Sequence, residues 1–206
     1  MEARDVDRPS EPSEEPDDWL VARCTNELPY QTGAFEILLR RYEPVVFRTC
    51  LRYLGNRQEA EEAAQDAFLR VFHGLPKFRA DAQFRTWLYR IVANVCATRF
   101  AKLRREAERR RDYQQHIQDT ARLSYESVET ELQISGPVAE ALDQLSHEDR
   151  QVIVLRHVSD LTVPEMAEVL GAKLSAAKMR LHRAENRLRE GYERILGKSD
   201  DIFSGL

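Results

Sequence analysis

From residue 17 onward the apolar positions of the chain recur at three- and four-residue steps, the period of a helix with one buried face. Trp19, Leu20 and Cys24 share such a face, behind Asp17 or Asp18 as a cap. "TNELPYQTG" then reads as a loop, with Pro29 and Gly33 as breakers. Phe35, Leu38, Leu39, Tyr42, Val46, Phe47, Cys50, Leu51 and Leu54 continue the period until Gly55-Asn56 stops it. Pro44 lies inside this run and predicts a kink or a break. In "RQEAEEAAQDAFLRVFHGL", Ala60, Ala64, Ala67, Phe68, Val71 and Phe72 form the apolar face, and Gly74 and Pro76 end the helix. After the loop "PKFRADAQ" a stripe of Phe84, Trp87, Leu88, Ile91, Val92, Val95 and Cys96 predicts another helix, with Phe84 and Trp87 in its core.

The pattern weakens over residues 108–137, where charges are mixed and Gly136-Pro137 closes the segment; this stretch reads as a linker with residual helix at its start. From Val138 it returns in "VAEALDQL", "SHEDRQVIVLRHV", "TVPEMAEVL" and "SAAKMRLHRAENRLREGYERIL". Ser146 with Asp149, and Thr162 with Glu165, have capping-box spacing. Pro164 falls in a first turn, where its missing N–H does no harm. Ser175 can cap the last helix. The expected fold is all-α: two small helical domains, residues 17–107 and 138–197, joined by a flexible linker. Residues 1–16 form a disordered acidic tail and residues 198–206 a second tail.

Composition supports this picture and adds charge segregation to it. The 206 residues hold only 8 Gly and 8 Pro, so helix formers dominate. Net charge is −4, but the charges are not mixed. Residues 70–111 carry 12 Lys and Arg against 3 Asp and Glu, and residues 173–189 carry 6 against 1. Residues 1–18 carry 2 against 8, and residues 112–150 carry 2 against 9. Two basic blocks separated by an acidic one suggest two surfaces that face a polyanion. No apolar run approaches the ~20 residues of a membrane span, so membrane insertion is not expected. The acidic start lacks the basic and apolar regions of a signal peptide, which points to the cytoplasm. Cys24, Cys50 and Cys96 form no C-x-x-C pair and read as buried, reduced thiols.

The candidate chemistry is nucleic-acid binding. "TVPEMAEVL-GAK-LSAAKMRLHRAENRL" is a short helix, a turn containing Gly171, and a longer basic helix: the helix-turn-helix plan. Met166, Ala167 and Leu170 pack one helix, and Leu174, Ala177, Leu181, Ala184 and Leu188 the other. Lys178, Met179, His182 and Arg183 then face outward, with Arg180 and Arg187 at the edges, and arginine suits both guanine edges and phosphates. In the earlier basic block Arg90, Asn94, Ala97 and Thr98 form a small polar face, continued by Lys102, Arg104 and Arg105. Beside the 79–85 loop, such a face suits a nucleic-acid strand laid across a helix. Catalysis has no comparable support. His73, His116, His147, His157 and His182 are scattered without metal spacing, and there is no P-loop or nucleophile motif, so neither an enzyme nor a metal or cofactor is expected. A transcription regulator with a partner-sensing N-terminal domain shares the C-terminal features but leaves the first basic surface and "QDAF" unexplained.

"AFEILLRRYEPVVFRTCLRYLGN", "EAEEAAQDAFLRVFHGLPKFRADAQFRTWLYRIVANV" and "LDQLSHEDRQVIVLRHVSDLTVPEMAEVLGAKLSAAKMRLHRAENRLRE" together resemble the extracytoplasmic-function (ECF) sigma factors of bacterial RNA polymerase. The resemblance covers roughly residues 17–107 and 138–196 in the family's order. It implies an alternative sigma factor that directs promoter recognition and DNA opening in response to a stress or envelope signal. A sigma-2 domain would bind the β′ clamp helices of core polymerase through Arg57, Glu61, Gln65, Asp66 and Leu69. The loop from Lys77 to Gln83, with Phe78, Arg79, Ala80 and Asp81, would pocket a flipped minus-10 base. Arg85, Arg90, Asn94 and Thr98 would meet the rest of that element. A sigma-4 domain, which the family also sets against the β flap, would read the minus-35 element through Ser175, Lys178, Met179, Arg180, His182, Arg183 and Arg187. The family is often held silent by an anti-sigma factor; no residue of this chain names one. The longer "TNELPYQTG" loop, Pro164, Ala176-Ala177-Lys178 and Glu185 depart from the family's pattern. These departures bear on the promoter sequence more than on the activity.

Overall fold

The structure, a computed structural model, describes residues 15–117 and 136–203. All but the end of the acidic tail, most of the linker and the last three residues therefore lie outside the described residues. Eight α-helices and one 3-10 turn are described: α1 (Asp17–Glu27), α2 (Gly33–Leu54), α3 (Arg57–Gly74), the turn Leu75–Lys77, α4 (Phe84–Ile117), α5 (Pro137–Asp143), α6 (His147–His157), α7 (Val163–Val169) and α8 (Leu174–Phe203).

Local chemistry sets most of the boundaries. Gly55 takes the left-handed conformation that closes α2, at φ 71°, and the Asn56 side chain caps α3 by accepting from the Glu59 N–H. Ser146 caps α6 through the Asp149 N–H, and Thr162 with Glu165 forms a complete capping box on α7. Several expectations are corrected. Asp17 is the first residue of α1 rather than its cap; it pairs instead with Arg41 and Tyr42 of α2. Trp19 is 45% exposed, with the Arg23 guanidinium over its ring. The loop expected over "TNELPYQTG" is shorter, because α1 runs to Glu27 and α2 starts at Gly33. α2 passes through Pro44 without a break, since packing along the whole helix outweighs one lost hydrogen bond. α8 begins at Leu174, so Ser175 lies inside its first turn and is not the cap. α4 extends to Ile117, the residual helix expected at the start of the linker, and α8 extends to Phe203.

α1–α4 enclose a core of Leu20, Leu38, Val46, Cys50, Ala60, Ala67, Val71, Leu88 and Val92, all at most 2% exposed. α5–α8 enclose Val154, Leu155, Leu161, Met166 and Ala184. The two units also touch: α2 and α4 pack on α6, and α4 packs on α7. One continuous set of buried side chains runs through both. Buried Thr49 and Ser159 share a hydroxyl bond of 3.0 Å across this boundary. The fully buried Tyr53 hydroxyl lies 2.6 Å from His147 Nε2, and the Phe100 ring sits 4.7 Å from the His147 ring.

Candidate nucleic-acid interface

The first basic surface starts from an aromatic cluster. The Phe78 and Trp87 ring centroids are 4.9 Å apart, Phe84 lies 6.0 Å from Trp87, and Tyr42 meets Phe84 edge-on at 5.5 Å. Phe84 is buried, as expected, while Trp87 is half-buried against Gly74. Phe78 faces this cluster and so anchors the 78–83 loop from inside. Lys77, Arg79, Ala80 and Asp81 are exposed on the loop. Ala80 holds φ 55°, a left-handed conformation that costs an L-residue energy and turns the chain sharply.

On α4, Arg90, Asn94 and Thr98 stand one turn apart and are exposed, while Tyr89, Val92, Ala93, Val95 and Cys96 around them are buried. The Thr98 hydroxyl donates to the Asn94 carbonyl. The Asn94 amide makes no hydrogen bond to a described residue, so both its donor and its acceptor face solvent. Further along, Arg99 is tied by bonds of 2.8 and 2.9 Å to Glu59 and Glu62 of α3. Its bond holds the Glu62 carboxyl below the usual carboxylate range. Sequence reading missed this bridge. Arg99 lies just past the polar row, and only the packing of α3 on α4 brings the two glutamates to it.

Arg85 and Arg90 do not point freely into solvent. Arg85 Nη2 donates to the carbonyls of Ser159 and Asp160 at 2.5 and 2.9 Å, and Arg90 Nη2 donates to the Glu168 carbonyl at 2.9 Å. The acceptors belong to the α6–α7 turn and to α7. Arg150 was missed as well. It is 6% exposed and donates to the carbonyls of Leu142 and Tyr53 and to Asp143. Its phase on α6, three and four residues before Ile153 and Val154, was the available signal.

The second basic surface is α8. Ser175, Lys178, Met179, Arg180, His182, Arg183 and Arg187 are exposed, with Ala177, Leu181 and Ala184 buried beneath. Met179 is 63% exposed, so an apolar contact sits among the cations. Arg187 pairs with Asp149, which locks α8 to the start of α6. Leu174 was expected in the core but is 55% exposed, because it opens the helix beyond the reach of α7. Gly171, at φ 59°, makes the tight turn between α7 and α8.

α3 presents a different surface. Glu61, Gln65 and Leu69 are exposed and Asp66 half-exposed, with Leu69 60% exposed one turn from Gln65 and Asp66. Arg57 pairs with Glu61, and Arg70 makes two bonds to Asp66. An exposed leucine beside the Asp66–Arg70 pair suits a protein partner better than DNA. Among the described residues no cluster of His, Cys, Asp and Glu could hold a metal, and no helix is long and apolar enough to cross a membrane.

Comparison with known proteins finds two matched regions in the chain. Residues 38–106 match the family described as Sigma-70 region 2, and residues 135–188 match Sigma-70, region 4. The chain is 30% identical to the ECF RNA polymerase sigma factor SigW of Bacillus subtilis over 166 residues, covering 76% of this chain and 88% of the relative. It is 27% identical to the RNA polymerase sigma-H factor of Pseudomonas aeruginosa, covering 89% and 97%. Among solved structures it resembles CnrH in complex with the cytosolic domain of CnrY, with a TM-score of 0.62 at 25% identity over 84% of this chain and 95% of that one. The sigma factor RpoE bound to the anti-sigma factor NepR from Bartonella quintana shares the fold, with a TM-score of 0.55 at 22% identity over 77% and 96%. The chain therefore belongs to the ECF sigma factors of bacterial RNA polymerase.

Proposed function

We propose that residues 17–107 bind core polymerase and the minus-10 element, and that residues 138–197 bind the minus-35 element. The observation that carries the reading is the Asn94 amide, which makes no hydrogen bond to a described residue and is exposed between Arg90 and Thr98 while Val92, Ala93, Val95 and Cys96 around it are buried. An amide that donates and accepts at once can pair with a base edge, whereas a merely solvated helix face has no need of Asn, a mediocre helix former. The strained 78–83 loop, held by Phe78, stands beside it to receive an unstacked base. On α8, Lys178 near the helix start suits a phosphate, and Arg183 reaches farther to read a base edge. Glu61, Gln65, Asp66 and Leu69 of α3 dock on the β′ clamp helices with Arg57 alongside, and the C-terminal unit meets the β flap. The relatives solved with CnrY and with the anti-sigma factor NepR support a regulatory protein partner of the same kind. This work is cytoplasmic.

The test is promoter opening by reconstituted holoenzyme. Asn94→Ala keeps the melting temperature, core binding and minus-35 recognition, but loses open-complex formation or changes the preferred minus-10 base in permanganate footprints. Opening of every minus-10 variant at the wild-type level would move base reading to the Lys77–Gln83 loop.

A further inference from the structure

The helix proposed to dock on polymerase and the helix proposed to meet minus-10 DNA are tied together by one arginine. Arg99 Nη1 of α4 donates to Glu59 at 2.8 Å and to Glu62 at 2.9 Å, both on α3. The two acceptors are themselves placed. Glu59 lies in the first turn of α3, where its N–H is bound by the Asn56 cap, and Glu62 also accepts from Gln58. The carboxylates stand three residues apart, so they share one face of α3. A guanidinium held by both is fixed along that helix as well as towards it, which a single acceptor would not achieve. On α4 the bridge sits where packing gives out. Arg99 is one turn beyond buried Val95, yet none of residues 97–107 is buried. The next residue, Phe100, turns to His147 of α6 instead. Arg99 thus ties α4 to α3 at the end of the row formed by Arg90, Asn94 and Thr98.

We propose that Arg99 is a positioning residue for promoter opening: bridged to Glu59 and Glu62, it fixes the Asn94 amide relative to the polymerase-docking face of α3. The proposal rests on the reading of α3 as the core-binding helix and of α4 as the minus-10 helix. Glu61, Gln65, Asp66 and Leu69 set the place of α3 once they dock on core. The bridge passes that placement to the base-reading row, which begins one residue before Arg99. Hydrogen bonds to a base edge are short, and a binding constellation tolerates misplacement of only about 0.5 Å. Ion pairs that water reaches add little to stability, and the Arg99 and Glu62 side chains are 24% and 48% exposed. The bridge therefore matters more as a constraint on distance than as a source of stability. Arg99 acts through Asn94 rather than on DNA, since its guanidinium is turned to the carboxylates of α3.

The test uses holoenzyme reconstituted from core polymerase and the full-length chain, on a promoter that the wild-type holoenzyme selects from a random-sequence library. Core affinity is read by fluorescence anisotropy, folding by thermal melting, and opening by the rate of permanganate reactivity at saturating core. A negatively supercoiled template keeps the residual opening of Asn94→Ala measurable. Arg99→Ala is expected to hold core affinity within about twofold while opening slows about tenfold, the size of effect that side chains of one network have on each other. The loss is not additive: Asn94→Ala with Arg99→Ala opens no more slowly than Asn94→Ala alone, because Arg99 works through that amide. Arg99→Glu with Glu62→Arg rebuilds an ion pair with its charges exchanged, and opening returns to within about threefold of wild type. Additive losses, or no rescue by the exchanged pair, overturn the proposal and make Arg99 a DNA contact or a plain stabiliser. Should Arg99→Ala fail to fold, Arg99→Lys, which keeps the charge but not the fork, and the exchanged pair carry the same comparison. If Asn94→Ala opens as wild type does, the assignment of α4 falls and the positioning role with it. If Asn94→Ala slows opening and Arg99→Ala does not, only the positioning role falls.

Discussion

Gly74 ends α3 where a side chain would collide: a Cβ there would lie 2.9 Å from Cζ2 of Trp87. The indole is wedged against Phe78 and cannot simply swing aside. Gly74→Ala gains helix propensity of up to ~1 kcal/mol but forces the ring and the 78–83 loop to shift, and overpacking of this kind costs about 1–3 kcal/mol. The net expectation is a lower urea midpoint, together with weaker minus-10 recognition because the loop moves with Phe78. A midpoint at or above wild type would show that Trp87 is free to move. Arg150 makes a second prediction at this scale. Arg150→Ala takes the Arg150 donor from the Tyr53 carbonyl and leaves the Leu142 carbonyl with only the Leu145 N–H, and about 1–3 kcal/mol is lost in chemical denaturation. Arg150→Lys recovers only part, because one ammonium cannot reproduce the fork. Two of the buried thiols, Cys24 and Cys96, behave otherwise. Burial pushes Cys24 up to about 11, and the bond with Cys50 together with burial raises Cys96, so little thiolate forms at neutral pH despite a Cys50–Cys96 sulfur separation of 3.6 Å.

Among the elements, α3 has two faces with separate tasks. Its alanines, Ala60, Ala63, Ala64 and Ala67, let it lie close against α2 and α4, and its Glu59 and Glu62 hold Arg99. Leu69 and Asp66 take no part in that packing. Asp66→Arg breaks only an exposed pair with Arg70, of the kind worth about 0.3–0.5 kcal/mol. The variant is therefore expected to fold normally and to lose core polymerase affinity through like-charge contact at the interface, with Leu69→Ala showing a smaller loss of the same kind. Core binding at the wild-type level by Asp66→Arg, measured by fluorescence anisotropy, would reject the assignment of α3. For α7, Thr162→Ala removes the capping box, and a loss of about 1 kcal/mol in thermal stability is expected.

At the scale of the whole molecule, His147 makes the packing of the two units on each other, the closed form, sensitive to pH. Its ring is packed between Tyr53 of α2 and Phe100 of α4, with Ser146, Glu148 and Arg150 on its own side and Arg104 across the same cleft. Burial lowers its pKa below the ordinary 6.5. The closed form thus prefers the neutral imidazole, while an open form, with the ring in water, binds the proton more readily. Stability of closure is fully present above about pH 6.5 and is lost as pH falls through the lowered value. Small-angle scattering is expected to show a larger radius of gyration at pH 5.5 than at pH 7.5, and no such change in His147→Gln. Expansion of equal size in that variant would assign the effect to other groups.

The helices, their caps and their faces were legible in the amino-acid order because each is decided within a few residues. Ser146 and Thr162 act three residues away, Gly55 acts on its own backbone, and a period of 3.6 residues tells which side chains share a face. The motifs of α3, α4 and α8 likewise carried the family, and with it the candidate residues. What packing decided lies at long range. Thr49 meets Ser159 across 110 residues, and Arg90 meets Glu168 across 78. Thr49 and Tyr53 even keep the phase of the α2 core, but a hydroxyl on a helix reads as solvent-facing until a second unit arrives to cover it. Leu174 shows the converse, an apolar residue in phase that the end of its helix leaves in water. Periodicity specifies a direction around one helix axis; whether another surface lies in that direction depends on how the two units pack, and that contact is what places Arg85 and Arg90 under the helix-turn-helix unit.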